Sequence, residues 1–284
     1  MTRRDALFLA GALPMGASGQ SGSEPKLAPG GPDSAERMAL IEAFEKKTAG
    51  LAQRFEARTH RPIDGWAIPY RLFRPEAAGR LPLVLYLHGA GGIGSDNRKQ
   101  IEGGNVLGTH LWALAETQRQ HPCYIVAPQT DRRWLRYDAA PPPGPGRLVP
   151  GFGQGAAAAV DILDALRREF AIDEHRIYVT GNSMGGGGAW HMVAHCATLF
   201  AAAVPCCGSP SAESGSENPG MAVWNFHGDA DESVPVEVSR ERIAARRKAG
   251  GKPVYTEYPG LGHDVARWAY TEPALPEWLF AQQR

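Results

Sequence analysis

Ser183, Asp231 and His263 are the residues whose types, order and local sequence could together carry covalent chemistry. A serine hydroxyl is almost un-ionised at neutral pH. As a nucleophile it needs a base within hydrogen-bond reach, and the base needs a carboxylate to orient it. Ser183 stands in Ile177-Tyr178-Val179-Thr180-Gly181-Asn182-Ser183-Met184-Gly185, a β-branched run leading into G-x-S-x-G and then a helical stretch. A serine at the tip of a sharp strand-to-helix turn has a strained backbone, and the residues two positions away must be small for the chain to pass. Gly181 and Gly185 meet that condition, and the helix N-terminus behind Ser183 would favour negative charge developing there. Taken alone, the pentapeptide also reads as an ordinary glycine-rich turn in a chain with 34 glycines.

Chain order supplies the partners. The strand-like run Ala222 to Phe226 ends in His227-Gly228-Asp229-Ala230-Asp231, and Val254 to Tyr258 leads into Pro259-Gly260-Leu261-Gly262-His263-Asp264. Of nine histidines, only His263 follows Asp231, so the order Ser, acid, His singles out one base. Attack on a carbonyl also needs donors aimed at the developing oxyanion. One would be the backbone N–H of Met184, and the other would come from the loop after the strand Leu83 to Leu87.

Four segments resemble a known family: Gly181-Asn182-Ser183-Met184-Gly185-Gly186, His227-Gly228-x-x-Asp231-x-x-Val234-Pro235, Gly262-His263-Asp264, and Leu87-His88-Gly89-Ala90-Gly91-Gly92 with Asp96-Asn97. They are similar to α/β-hydrolases of the carboxylesterase and dienelactone-hydrolase type. With Tyr258-Pro259-Gly260 and Trp268, they resemble a bacterial branch labelled predicted peptidase or polyhydroxybutyrate-depolymerase-like, related to feruloyl esterases. The resemblance covers residues 54 to 284. It implies Asp231 as the acid, with Asp229 the nearby alternative, and Ala90 as the second oxyanion donor, with Gly91 as fallback. It also implies a serine hydrolase that cleaves carboxylic esters through an acyl-enzyme. A peptidase with the same triad and a non-catalytic extracellular binding protein are the alternatives. No metal or organic cofactor is implied, and the expected partner is a small-molecule or polymeric ester.

The elements that must hold these residues follow from periodicity. Ser34 is expected to cap a helix over Ala35 to Ala49, with Met38, Leu40, Ile41 and Phe44 at helical spacing. Arg54 to Thr59 and Trp66 to Phe73 read as a hairpin joined through Ile63-Asp64-Gly65. Short apolar strands then alternate with helices: strands at Leu83 to Leu87, Tyr124 to Ala127, Ile177 to Thr180, Ala201 to Pro205, Ala222 to Phe226 and Val254 to Tyr258. The helices are placed at Thr109 to Thr117, Gln154 to Phe170, Gly185 to Cys196, Pro235 to Ala249 and Pro276 to Gln283. The class is therefore α/β: an α/β-hydrolase fold with a mostly parallel central sheet, an N-terminal antiparallel hairpin, helices on both faces and no large cap domain. The long stretch Gln129 to Gly153 reads as a wall of the pocket or as surface decoration. Trp134, Tyr137, Trp190 and Trp268 read as an aromatic pocket or as packing.

Thirty basic residues balance thirty acidic ones, so no net field attracts nucleic acid or an anionic membrane. Residues 1–26 read as a signal peptide and linker, with residues 27–284 as one catalytic domain. Thr2-Arg3-Arg4-Asp5, the apolar Ala6 to Leu13 and the small residues Ala17 to Gly19 resemble a twin-arginine export signal. The mature protein is then expected in the periplasm or outside the cell, without a membrane span. Cys123, Cys196, Cys206 and Cys207 read as buried thiols, or as one disulfide from Cys196 to Cys206 or Cys207. Gly89-Ala90-Gly91-Gly92-Ile93-Gly94 fits G-x-G-x-x-G, but the polar Ser95-Asp96-Asn97-Arg98 that follows opens no helix, which argues against nucleotide binding. His191 and His195, one turn apart, lack the glutamate of H-E-x-x-H and read as an exposed helix face rather than a metal pair. Gly185 to Gly188 is unfavourable in a helix, which implies close packing against the sheet, or ligand approach as a second possibility.

Overall fold

Strand and helix alternate along the chain as the apolar runs require. The computed structural model describes residues 25, 27, 34–61, 67–135, 153–209 and 218–284. In order they form α1 (Ala35–Thr48), β1 (Glu56–His60), β2 (Ile68–Phe73), β3 (Leu81–Leu87), α2 (Val106–Ala113), α3 (Ala115–Gln120), β4 (Tyr124–Pro128), α4 (Gln154–Glu169), β5 (Ile172–Asn182), α5 (Met184–His195), β6 (Ala202–Cys206), β7 (Ala222–Gly228), α6 (Glu237–Lys248), β8 (Val254–Tyr258), α7 (Ala266–Ala269) and α8 (Ala274–Phe280). The export-like leader, the Ile63-Asp64-Gly65 turn, Tyr137 and most of the stretch after Gln129 lie outside the described residues.

The strands build one eight-stranded sheet in the order β1-β2-β4-β3-β5-β6-β7-β8. β1 and β2 pair antiparallel, as do β2 and β4, while β4, β3, β5, β6, β7 and β8 run parallel. The expected hairpin followed by a parallel sheet is therefore observed. Every residue of β3 and of β7 is buried, which is why these strands read as unbroken apolar runs rather than alternating ones. Successive side chains point to opposite faces. Val84 and Tyr86 pack with α1, α2, α7 and α8 on one side, whereas Leu83, Leu85 and Leu87 pack with α4 and α5 on the other.

Several boundaries differ from the sequence reading. The helix expected over Thr109 to Thr117 is two helices, because Leu114 takes an extended conformation (φ −57°, ψ 142°). The side-chain amide of Gln118 donates to the carbonyl of Trp112, exposed by that break, at 2.8 Å. A 3₁₀ turn over Leu51–Arg54 delays β1, and β5 begins five residues early at Ile172. α7 was not foreseen. The cap was: Ser34 Oγ accepts the backbone N–H of Arg37 at 3.2 Å. All four cysteines are free thiols, with Cys123, Cys206 and Cys207 buried. Among the described residues, no helix is long and apolar enough to cross a membrane.

α1 is tied to the C-terminal segment by a buried ion pair. Arg37 Nη1 lies 3.2 Å from Glu272 Oε2, both side chains almost fully enclosed, and Nη2 donates to the carbonyl of Trp268. Removing one partner of such a pair strands the other charge in a low dielectric. Arg37→Ala is therefore expected to lower unfolding stability by roughly 3–5 kcal/mol, whereas Arg37→Met combined with Glu272→Leu recovers most of it. Denaturant midpoints of the three proteins measure this.

Candidate active site

β3 lies at the centre of the sheet, with β4 on one side and β5 on the other, so the direction in which successive strands are added reverses there. Open α/β sheets place ligands outside the strand C-termini at such a point. The loop after β3, the turn after β5 and the loops after β7 and β8 all meet at that edge, around a cleft of about 630 Å³ lined in part by Ala90, Asn182, Ser183 and His263.

Ser183 sits between β5 and α5 with φ 54° and ψ −117°, a positive φ that side-chain-bearing residues rarely adopt. The turn closes only because its flanks carry no Cβ. An atom at that position on Gly185 would lie 1.8 Å from the carbonyl oxygen of Leu87, and one on Gly181 would lie 2.5 Å from that of Gly185. The same contact brings α5 directly onto the sheet, which accounts for its glycine-rich first turns by close packing. Ser183 N–H donates to the Cys206 carbonyl at 2.9 Å, tying the turn to β6.

The loops carrying Asp231 and His263 are joined just as closely. A Cβ on Gly228 would lie 2.2 Å from the carbonyl of Leu261, and Ala230 N–H donates to that carbonyl at 3.0 Å. Ser183 Oγ then lies 2.7 Å from His263 Nε2, and His263 Nδ1 lies 2.7 Å from Asp231 Oδ2. Asp231 Oδ1 accepts the backbone N–H groups of Ser233 at 2.8 Å and Val234 at 2.9 Å. Burial of Asp231 works against ionisation, but these two N–H donors and His263 outweigh it and hold the carboxyl below its ordinary range. Asp229 is exposed, and its carboxylate instead accepts Gly260 N–H at 2.6 Å, shaping the neighbouring turn.

Met184 opens α5 and Ala90 opens the 3₁₀ turn Ala90–Gly92, so each N–H belongs to the set that a helix start leaves without an intrahelical acceptor. The loop bearing Ala90 is held by residues whose part in it the motifs did not reveal. Asn105 Oδ1 accepts Gly89 N–H at 3.0 Å, while its amide nitrogen donates to the Lys99 carbonyl at 2.8 Å. The Tyr86 hydroxyl donates to Asn182 Oδ1 at 2.6 Å. His88 Nε2 accepts Thr130 N–H at 3.1 Å, so its Nδ1 donates to the Gly89 carbonyl at 2.8 Å, and burial pushes this imidazole down to about 4. His88 and Asn182 stand within the quoted motifs, whereas for Tyr86 and Asn105 the only sequence sign was a tyrosine inside an apolar strand. The three-residue 3₁₀ turn, in place of an α-helix after Gly89, agrees with setting nucleotide binding aside.

One reading needs correction, and one pair of alternatives is decided in favour of packing. His191 does not lie on an exposed face: it is 1% exposed, its ring is 4.4 Å from that of His195, and burial pushes it down to about 3. α5 is covered here on a side that the histidines made look polar. Trp134, Trp190 and Trp268 pack inward, with the Trp134 indole N–H donating to the His88 carbonyl at 2.9 Å. No tryptophan, tyrosine or phenylalanine among the described residues lines the cleft.

No family model matches the chain. Over 71 residues it is 31% identical to a bifunctional acetylxylan esterase/xylanase of Neocallimastix patriciarum, a match covering 25% of this chain and 11% of that protein. A thermostable esterase of known structure superposes with a TM-score of 0.74 and 35% identity, over 82% of this chain and 64% of its own length. The chain has the α/β-hydrolase fold. A ferulic acid esterase has the same fold, at a TM-score of 0.58 and 19% identity, over 80% of this chain and 97% of its own. This chain spans less than two thirds of the length of the first two relatives.

Two outcomes follow from the geometry. Asp231→Asn is expected to slow acylation of Ser183 by an activated acetyl ester about 10⁴-fold, and Asp229→Asn only severalfold, as read by stopped-flow release of the leaving group. Because the folded-state pKa of Asp231 lies below the unfolded value near 3.9, its contribution to stability is complete above that pH and is lost as pH falls through the lower folded value. Asp231→Asn should therefore flatten the fall in denaturation midpoint below about pH 4.

Proposed function

We propose that this α/β-hydrolase is a serine esterase that cleaves carboxylic esters through an acyl-enzyme. The observation that carries the reading is the continuous relay from Ser183 Oγ through His263 to Asp231, with both hydrogen bonds at 2.7 Å. Ser183 attacks the ester carbonyl as His263 Nε2 takes its proton, and Asp231 stabilises the imidazolium that forms. The Met184 and Ala90 N–H groups receive the oxyanion. His263 returns the proton to the departing alkoxide, and water then repeats the sequence to release the acid.

The relatives' names support an ester rather than an amide as substrate. The cleft is open, and a Cβ added to Gly91 or Gly104, both part of its lining, would meet no atom within 4 Å. This suits either a small ester or the end of a polymeric one. The twin-arginine-like leader supports export of the enzyme. Ser183→Ala is expected to reduce hydrolysis of a short-chain nitrophenyl ester by about 10⁶-fold without loss of folding. Retained turnover would overturn the assignment. Matched ester and anilide substrates, with the ester favoured, separate an esterase from a peptidase.

A further inference from the structure

His227 ends β7 beside the acid, and the steps above do not use it. Its side chain is wholly enclosed and both ring nitrogens are engaged. Nδ1 lies 2.7 Å from Ser239 Oγ on α6. Nε2 lies 2.9 Å from the Val234 carbonyl and 3.3 Å from Asp231 Oδ2. A carbonyl and a carboxylate can only accept, so Nε2 carries the proton and Nδ1 accepts from the Ser239 hydroxyl. The Ser239 side chain thereby selects one tautomer.

The oxygen that Nε2–H approaches is the one that receives His263 Nδ1–H at 2.7 Å. Two imidazoles thus converge on Asp231 Oδ2, one enclosed and fixed, the other with its side chain 32% exposed beside Ser183. The two backbone donors hold only Oδ1, so His227 gives Oδ2 a fixed donor of its own beside His263. A neutral donor at Oδ2 also draws charge from that oxygen. It lowers the oxygen's appetite for the proton it shares with His263. A neutral His227 suits this task, since a second cation would oppose the imidazolium, and burial does push it below its ordinary range.

We infer that His227, locked by Ser239, is a positioning residue for the Asp231–His263 pair: it holds Asp231 Oδ2 in place and limits its basicity. The inference rests on the reading of Ser183, His263 and Asp231 as the reacting set. It gives a physical reason for the spacing His227-Gly228-x-x-Asp231-x-x-Val234, because the first residue is bonded to the carbonyl of the last and lies 3.3 Å from the carboxylate between them. The other titratable groups facing the pair are the buried Cys206 thiol, the Cys207 thiol, whose Sγ lies 3.6 Å from the His263 carbonyl, Asp264, and Glu257 on β8. None is altered in the test.

The experiment compares His227→Leu, His227→Gln and Ser239→Ala in the full chain by the kcat and KM of a nitrophenyl ester and by NMR titration of the His263 ring. His227→Leu is expected to lower kcat about tenfold with KM unchanged. It should raise the His263 pKa by about half a unit, because the carboxylate regains charge. His227→Gln, whose amide nitrogen can occupy the Nε2 position, should restore both. Ser239→Ala should shift the pKa in the same direction by less. An unchanged His263 pKa in His227→Leu and Ser239→Ala would overturn the inference, as would equal losses in Leu and Gln without a pKa shift. Where His227→Leu fails to fold, Ser239→Ala decides: a shift supports the role and no shift refutes it. The titration needs no turnover. Failure of the esterase reading would instead appear as an inactive unsubstituted protein whose His263 pKa still responds to these substitutions.

Discussion

The backbone of Ser183 is held at a positive φ, at a cost of order 1–3 kcal/mol, and the rest of the site is arranged around that turn. The strain persists because the surroundings over-determine it. Gly185 presses against the Leu87 carbonyl and Gly181 against the Gly185 carbonyl, at separations that no side chain would permit. Ser183 N–H is bonded to β6, and its carbonyl accepts Gly187 N–H at 3.0 Å within α5. The consequence is an Oγ raised above the sheet at the edge where the loops from β3, β7 and β8 converge. The same close approach sets the start of α5 next to the loop after β3, so Ser183 and Ala90 line one cleft.

A second layer of constraint surrounds the base and acid. Gly228 allows the loops after β7 and β8 to touch, which brings Asp231 under His263 even though 31 residues separate them in sequence. Every oxygen of Asp231 is occupied: Oδ1 by two backbone N–H groups, Oδ2 by two imidazoles. That saturation keeps the carboxyl ionised despite burial. It also explains why Asp229, two residues earlier, cannot substitute: it faces solvent and serves a turn.

Much of this was legible in the chain. Continuous apolar runs marked the parallel strands because those strands are buried on both faces, and G-x-S-x-G between a strand and a helix marked the sharp turn. Ser183, Asp231 and His263 could be put in order from motif and sequence position. What escaped was set by tertiary contact. The break at Leu114 is stabilised by the Gln118 side chain, which no propensity encodes. His191 looked like a polar face because an imidazole does not announce whether neighbouring chain covers it. Asn105 and Tyr86, which fix the loop bearing Ala90, come from separate segments that meet only in the fold. The tryptophans near strand ends proved to be packing residues, because their indoles turn inward to fill the layer between helix and sheet.

The central claim is that Ser183 is a nucleophile activated by His263. Its most direct test is mass-spectrometric mapping of the adduct formed with a fluorophosphonate. The account requires one phosphonyl group per chain, located on Ser183, with labelling lost in Ser183→Ala and strongly slowed in His263→Ala. A protein that stays unlabelled, or that carries the adduct on another residue while Ser183 remains free, would contradict it.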